Sequence, residues 1–66
     1  RRKEEMYMNI GTRVSVIRSP CYKYLGRKGV VVKIDRTKRN IWYLVKWSDG
    51  TGNIIAFLEN ELKVIN

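Results

Sequence analysis

Apolar and polar residues alternate with a period of two through three segments of this chain, the pattern of strands with one buried face. Thr12 to Ile17 predicts a first strand, with Val14 and Val16 on one face and Arg13 and Ser15 on the other. Ser19-Pro20 breaks it, and Arg18 to Lys28 carries Tyr22, Tyr24 and Leu25 between basic residues without clean alternation, so a long loop is expected there. Gly29 opens a second strand over Val30 to Asp35, in which Val30, Val32 and Ile34 share one face and Val31, Lys33 and Asp35 the other. Arg36 to Asn40 is a polar turn. Ile41 to Ser48 is the longest strand, with Ile41, Tyr43, Val45 and Trp47 alternating with Trp42, Leu44, Lys46 and Ser48. Asp49-Gly50, with Gly52 close behind, signals a tight hairpin, because glycine supplies the positive φ such turns need. Asn53 to Phe57 predicts strand four, Leu58 to Leu62 a single helical turn, and Lys63 to Ile65 a short closing strand.

Five short strands, a long first loop and one helical turn before the last strand predict an all-β chain folded as a small SH3-like barrel over residues 12–66. The preceding residues 1–11 are read as a charged lead-in. Barrel closure buries one face of every strand and removes most exposed edge, which suits a short chain. An OB-like barrel is the alternative, and it usually needs longer strands.

With 66 residues the chain holds one domain at most, of a size that buries only about 60% of its unfolded surface. A single cysteine, Cys21, and no histidine exclude an intramolecular disulfide framework and leave no plausible zinc site, which points to a reducing, intracellular compartment. No uncharged run is long enough to span a membrane. The chain begins at Arg1 rather than at methionine, as expected of a piece of a larger protein or complex component, or of a processed one.

Charge changes the picture most. The net charge is +8, and residues 13–39 carry nine bases against the single acid Asp35, while the two flanks nearly cancel. Such an asymmetry produces a one-sided positive field that concentrates polyanions. Tyr22, Tyr24, Trp42 and Tyr43 lie within or just beyond this stretch. DNA or RNA is the expected partner, and a nuclear or nucleoid location follows if the ligand is DNA.

Gly11-Thr12-Arg13-Val14-Ser15-Val16, followed by Tyr24-Leu25-Gly26-Arg27-Lys28-Gly29-Val30-Val31, resembles the KOW pattern of ribosomal and transcription-associated SH3-like domains. That resemblance implies a strand leading into a basic loop, with a Gly-x-x-Gly-x-Val step into the next strand and a loop able to approach a phosphate backbone. Val32-Lys33-Ile34-Asp35-Arg36 and Tyr43-Leu44-Val45-Lys46-Trp47 look like the chromodomain strand pair. That likeness implies that Trp47 is one wall of an aromatic cage for methylated lysine, although Gly50 stands where the family usually has an aromatic residue. The ending Phe57-Leu58-Glu59-Asn60-Glu61-Leu62-Lys63-Val64 resembles other SH3-like subunits, including small photosystem and reductase accessory chains. In architecture the chain is similar to small archaeal chromatin proteins and to the DNA-binding terminal domain of retroviral integrases.

Enzyme chemistry has no support in the residues, because Cys21 lacks a histidine partner and the acids fall at strand ends and turns. No cofactor and no small-molecule substrate are expected. The candidate nucleic-acid contacts are Arg13, Arg18, Lys23, Tyr24, Arg27, Lys28, Val31, Lys33, Arg36, Lys38, Arg39, Trp42 and Lys46. With Val32, Ile34, Tyr43 and Val45 in the core, Lys33 and Val31 face outward, and Lys33 lies opposite Trp42 or Leu44. Trp42 then offers a flat surface for a base, or with Val31 a wedge for a minor groove. If instead Tyr7 and Ile10 cover Trp42 and Leu44, that surface is structural. The rival function is a protein-interaction module, either a Tudor- or chromo-like tail reader or a subunit docking on an acidic partner. Three aromatics around an open pocket with an acidic rim favour the tail reader; one exposed Trp42 among lysines favours nucleic acid.

Overall fold

The computed structural model describes residues 8–65. Five antiparallel strands form one sheet: β1 (Arg13–Val16), β2 (Lys28–Arg36), β3 (Ile41–Trp47), β4 (Ile54–Leu58) and β5 (Leu62–Val64). Their order is β4-β3-β2-β1-β5. A 3-10 turn at Tyr22–Tyr24 lies inside the β1–β2 loop, and a second at Glu59–Glu61 joins β4 to β5. The all-β architecture and the late helical turn agree with the sequence expectation and are compatible with an SH3-like fold. The 3-10 turn in the long loop was not legible in it. No helix among the described residues is long and apolar enough to cross a membrane.

A single core gathers Val14 and Val16 from β1, Val31 from β2, Tyr43, Val45 and Trp47 from β3, Phe57 from β4 and Leu62 from β5. Met8 joins them, so the described end of the lead-in is part of the packing, while residues 1–7 lie outside the described residues. For strands at both edges of the sheet to share one interior, the sheet must curl around it. β2 makes this possible by serving two neighbours. Its first residues pair with β1, through Val14 opposite Gly29, and nearly its whole length pairs with β3.

The expected faces of β3 hold, with Tyr43, Val45 and Trp47 buried and Lys46 and Ser48 exposed. Those of β2 do not. Val31 pairs with Val45, but the next partner pair is Lys33 with Leu44, so Val32 is an extra residue in a β-bulge. The bulge shifts the alternation: Gly29 and Val31 point inward before it and Ile34 after it. Val31, read as a surface wedge, is 0% exposed. Its amide donates to the Thr12 carbonyl at 2.9 Å and its carbonyl accepts from the Gly11 amide at 2.7 Å. Val31 is therefore a core residue, and Val32 is only half-buried.

The two glycines of the Gly-x-x-Gly step do different jobs. Gly26 has φ +82°, a left-handed value that L-residues avoid, and its amide donates to the Val16 carbonyl at 2.9 Å to close the base of the loop. Gly29 lies inside β2 and is needed for clearance, since a Cβ there would sit 2.5 Å from the Lys46 carbonyl oxygen and 2.6 Å from a Val45 methyl carbon. Both obstacles belong to the packed sheet, so relief requires the strands to move. Gly29→Ala is accordingly expected to lose about 1 to 3 kcal/mol of stability by overpacking, read as a lower urea midpoint with an unchanged m-value.

Candidate nucleic-acid interface

The pairing scheme determines which cations share a surface. Arg13 and Ser15 occupy the β1 positions whose side chains face away from Val14 and Val16, and the register carries that outer face across the sheet. One row runs Lys63, Ser15, Lys28 across β5, β1 and β2. The next runs Arg13, Val30, Lys46, Ile54 across β1, β2, β3 and β4. Arg13, Lys28, Lys46 and Lys63 are all exposed, and neither row contains an acid. Adjacent strands stand about 4.8 Å apart, so alternate members of a row are separated by roughly 10 Å. Lys63 was not among the sequence candidates. Its place beside Lys28 depends on the β1–β5 pairing, which no local pattern encodes.

The β1–β2 loop is a second basic segment, joined to the sheet at Lys28 and packed through Tyr24 against Trp47 and Phe57. Its base is closed by the Val16 amide donating to the Arg27 carbonyl at 2.9 Å, opposite the Gly26 bond. Inside it, the Tyr24 amide donates to the Cys21 carbonyl at 3.1 Å and the Leu25 amide to the Tyr22 carbonyl at 3.0 Å. Arg18, Lys23, Arg27 and Lys28 are exposed along it. Arg27 lies with its guanidinium 5.5 Å from the centre of the Trp47 ring and forms an ion pair with Asp49 at 3.5 Å. The Asp49 carboxyl is held below its ordinary value, first by hydrogen bonds from the Thr51 amide and hydroxyl and then by Arg27.

The other basic residues lie elsewhere. Arg36 is the last residue of β2, eight residues or roughly 25 Å from Lys28 along the strand, and Lys38 and Arg39 lie in the turn that follows it. Thr37 and Asn40 staple that turn, with the Thr37 amide donating to the Asn40 carbonyl at 2.8 Å and the Asn40 amide to the Thr37 hydroxyl at 3.0 Å. Lys38 and Arg39 line an open groove of about 790 Å³ together with Glu59, Asn60, Ile41, Leu58 and Leu62. The sign of charge is mixed here. The Tyr43 hydroxyl has its pKa raised by burial first and by Glu59 second, with Arg36 opposing. The continuous basic stretch of sequence is thus divided into two separate groups.

Lys33 lies opposite Leu44, one of the two expected registers, and Trp42 lies between Asp35 and Leu58 on the outer face. Trp42 and Leu44 are half-buried, while Ile10, a proposed cover for them, is itself 67% exposed; Tyr7 lies outside the described residues. Tyr24 is an anchor. Its ring packs 5.7 Å from Trp47 and 6.0 Å from Phe57, and those two rings are 5.8 Å apart. Three aromatics do converge, but each ring fills the space between the others, and Trp47 and Phe57 are buried. A methyl-lysine cage needs an open centre lying within about 6 Å of each ring centroid, where the cation sits. The edge of this cluster already carries cations, with Lys23 5.7 Å from the Tyr24 ring centre and Arg27 on Trp47.

Comparison with known proteins returns no match among family models, curated proteins or solved structures.

The two tryptophans are expected to respond differently to truncation. Trp47→Ala removes the centre of the aromatic cluster and should cost about 3 to 5 kcal/mol, enough to unfold much of a domain this small, whereas Trp42→Ala should leave a cooperative unfolding transition. Urea denaturation followed by circular dichroism distinguishes them, and the reverse ranking would mean that β3 presents its faces the other way round.

Proposed function

We propose that this chain is a non-catalytic module that binds nucleic acid mainly through its phosphates, with little sequence preference. The observation that carries the reading is the pair of outer-face rows holding Arg13, Lys28, Lys46 and Lys63, to which the β1–β2 loop adds the exposed Arg18 and Lys23. Cations on a curved strand face neutralise a polyanion without having to read its bases, and sequence-independent affinity is the expected result. The likeness to KOW domains agrees with this reading, since Gly26 shapes a basic loop beside the β1–β2 strand pair. The filled aromatic cluster and its basic edge count against a methyl-lysine reader. An acidic protein partner would meet the same cations and is the alternative that a titration must separate.

The test is a titration of duplex DNA, single-stranded DNA and RNA across a series of salt concentrations. The logarithm of affinity should fall linearly with the logarithm of salt, by about 0.9 per phosphate contact on duplex and about 0.7 on a single strand. The Lys28→Ala/Lys46→Ala double variant should stay folded and lose about 1.8 from the magnitude of the duplex slope. A salt-insensitive affinity, or absence of binding at low salt, would overturn the proposal. An unchanged slope in the folded double variant would place the phosphates elsewhere on the surface.

A further inference from the structure

The long β1–β2 loop exposes apolar side chains that a domain with so small a core has no structural reason to leave in water. Ile17, Tyr22 and Leu25 are three of the five large hydrophobic residues exposed among the described residues, and all lie within nine positions of one another. Tyr22 stands out most, at 86% exposed. Its neighbour two positions on, Tyr24, has the opposite fate, wedged against Trp47 and Phe57. A 3-10 turn spanning only Tyr22–Tyr24 links the two, so the packed, half-buried ring of Tyr24 fixes the backbone that carries the exposed one. The loop is held further by the bonds of Gly26 and Arg27 to Val16 at its base and by the Cys21 amide donating to the Ser19 hydroxyl at 3.1 Å. Tyr22 is therefore displayed on an ordered platform.

Its surroundings specify what the platform fits. Residues 17–28 contain Arg18, Lys23, Arg27 and Lys28 and no acid. A ligand complementary to this loop presents negative charges spaced around a flat apolar unit. Paired bases hide their faces inside the stack, whereas unpaired bases expose them, and stacking on an aromatic ring is tolerant of sequence. Building on the phosphate-binding reading above, we infer that Tyr22 is a stacking platform for an unpaired base, with Arg18 and Lys23 taking the flanking phosphates, so that the preferred ligand is single-stranded nucleic acid. This role was assigned to Trp42 on the sequence alone, but Trp42 is half-buried between Asp35 and Leu58. Among the described residues Tyr22 is the most exposed aromatic, on a loop whose residues 17–28 include no acid.

The experiment compares the full chain with its Tyr22→Ala and Tyr22→Phe variants, using a fluorescein-labelled oligodeoxythymidylate, a duplex of equal length, an abasic oligonucleotide with the same number of phosphates, and polyglutamate. Circular dichroism confirms folding, which truncation of so exposed a side chain should not disturb. Tyr22→Ala should weaken binding of the thymidylate strand on the order of 10- to 100-fold, leave the duplex unchanged, and leave the abasic strand unchanged because it has no base to stack. Tyr22→Phe should behave like the wild type, since the ring and not the hydroxyl does the stacking. Unchanged thymidylate binding by Tyr22→Ala, or equal losses on strand and duplex, would overturn the inference. So would polyglutamate losing as much affinity as the oligonucleotide, because the partner class would then be an acidic polypeptide. If the wild type binds the duplex with steep salt dependence while Tyr22 is silent, only the stacking role falls. If it binds no nucleic acid at low salt, the phosphate reading falls with it.

Discussion

The extra residue at Val32 is the constraint on which the rest of this small structure depends. Without it, a strand that buries Gly29 and Val31 would next bury Lys33 and Asp35, placing two charges in a core formed by valines and aromatic rings. Such burial costs several kcal/mol per unpaired ion. The bulge moves Lys33 and Asp35 to the surface and turns Ile34 inward against the core. It also increases the local twist, at the point where β2 leaves its pairing with β1 and continues with β3 alone. One inserted residue thus reconciles the apolar run Val30-Val31-Val32 with the charged residues after it, and helps a nine-residue strand to serve both halves of a curled sheet.

Register then determines electrostatics. Lys28, Lys46 and Lys63 are far apart in sequence, and pairing alone sets them with Arg13 on one outer face. The same rule separates residues that are close in sequence, carrying Arg36, Lys38 and Arg39 to the opposite end of β2, where Lys38 and Arg39 share a groove with Glu59. A net charge of +8 is therefore not a property of the whole surface. Arg13, Lys28, Lys46 and Lys63 on one face and Arg18, Lys23 and Arg27 on one loop carry much of it, the localisation on which the proposed phosphate binding rests.

How much of this could be read in the chain follows from how far each signal reaches. The alternation over Ile41 to Trp47 distinguished a buried Trp47 from an outward Trp42, because strand geometry acts on neighbours. Asp49-Gly50 gave the β3–β4 hairpin for the same reason, and Gly50 and Gly52 do take positive φ. The bulge escaped because three consecutive valines look alike on either phase, and only the distant partners Val45 and Leu44 reveal which one is extra. Lys63 escaped because its neighbour Ser15 lies on the first strand. The opposite roles of Tyr22 and Tyr24 escaped because an irregular loop has no period, and the two differ only in what Trp47 and Phe57 provide across the fold.

Trp47 connects these levels. Its ring lies in the core, touches Tyr24 on one side and carries the Arg27 guanidinium near its face, so the packing that stabilises the sheet also fixes the basic loop. A loop of this length ordinarily loses conformational freedom when it meets a ligand, a cost on the order of 1 to 2 kcal/mol for each residue immobilised. Here the aromatic cluster and the bonds to Val16 have already ordered the loop during folding. Under the proposed function, binding energy from the exposed side chains need not be spent on ordering it. The core and the exposed loop are consequently coupled through a single side chain: a change that loosens Trp47 loosens Tyr24, and with Tyr24 the turn that holds Tyr22 in place.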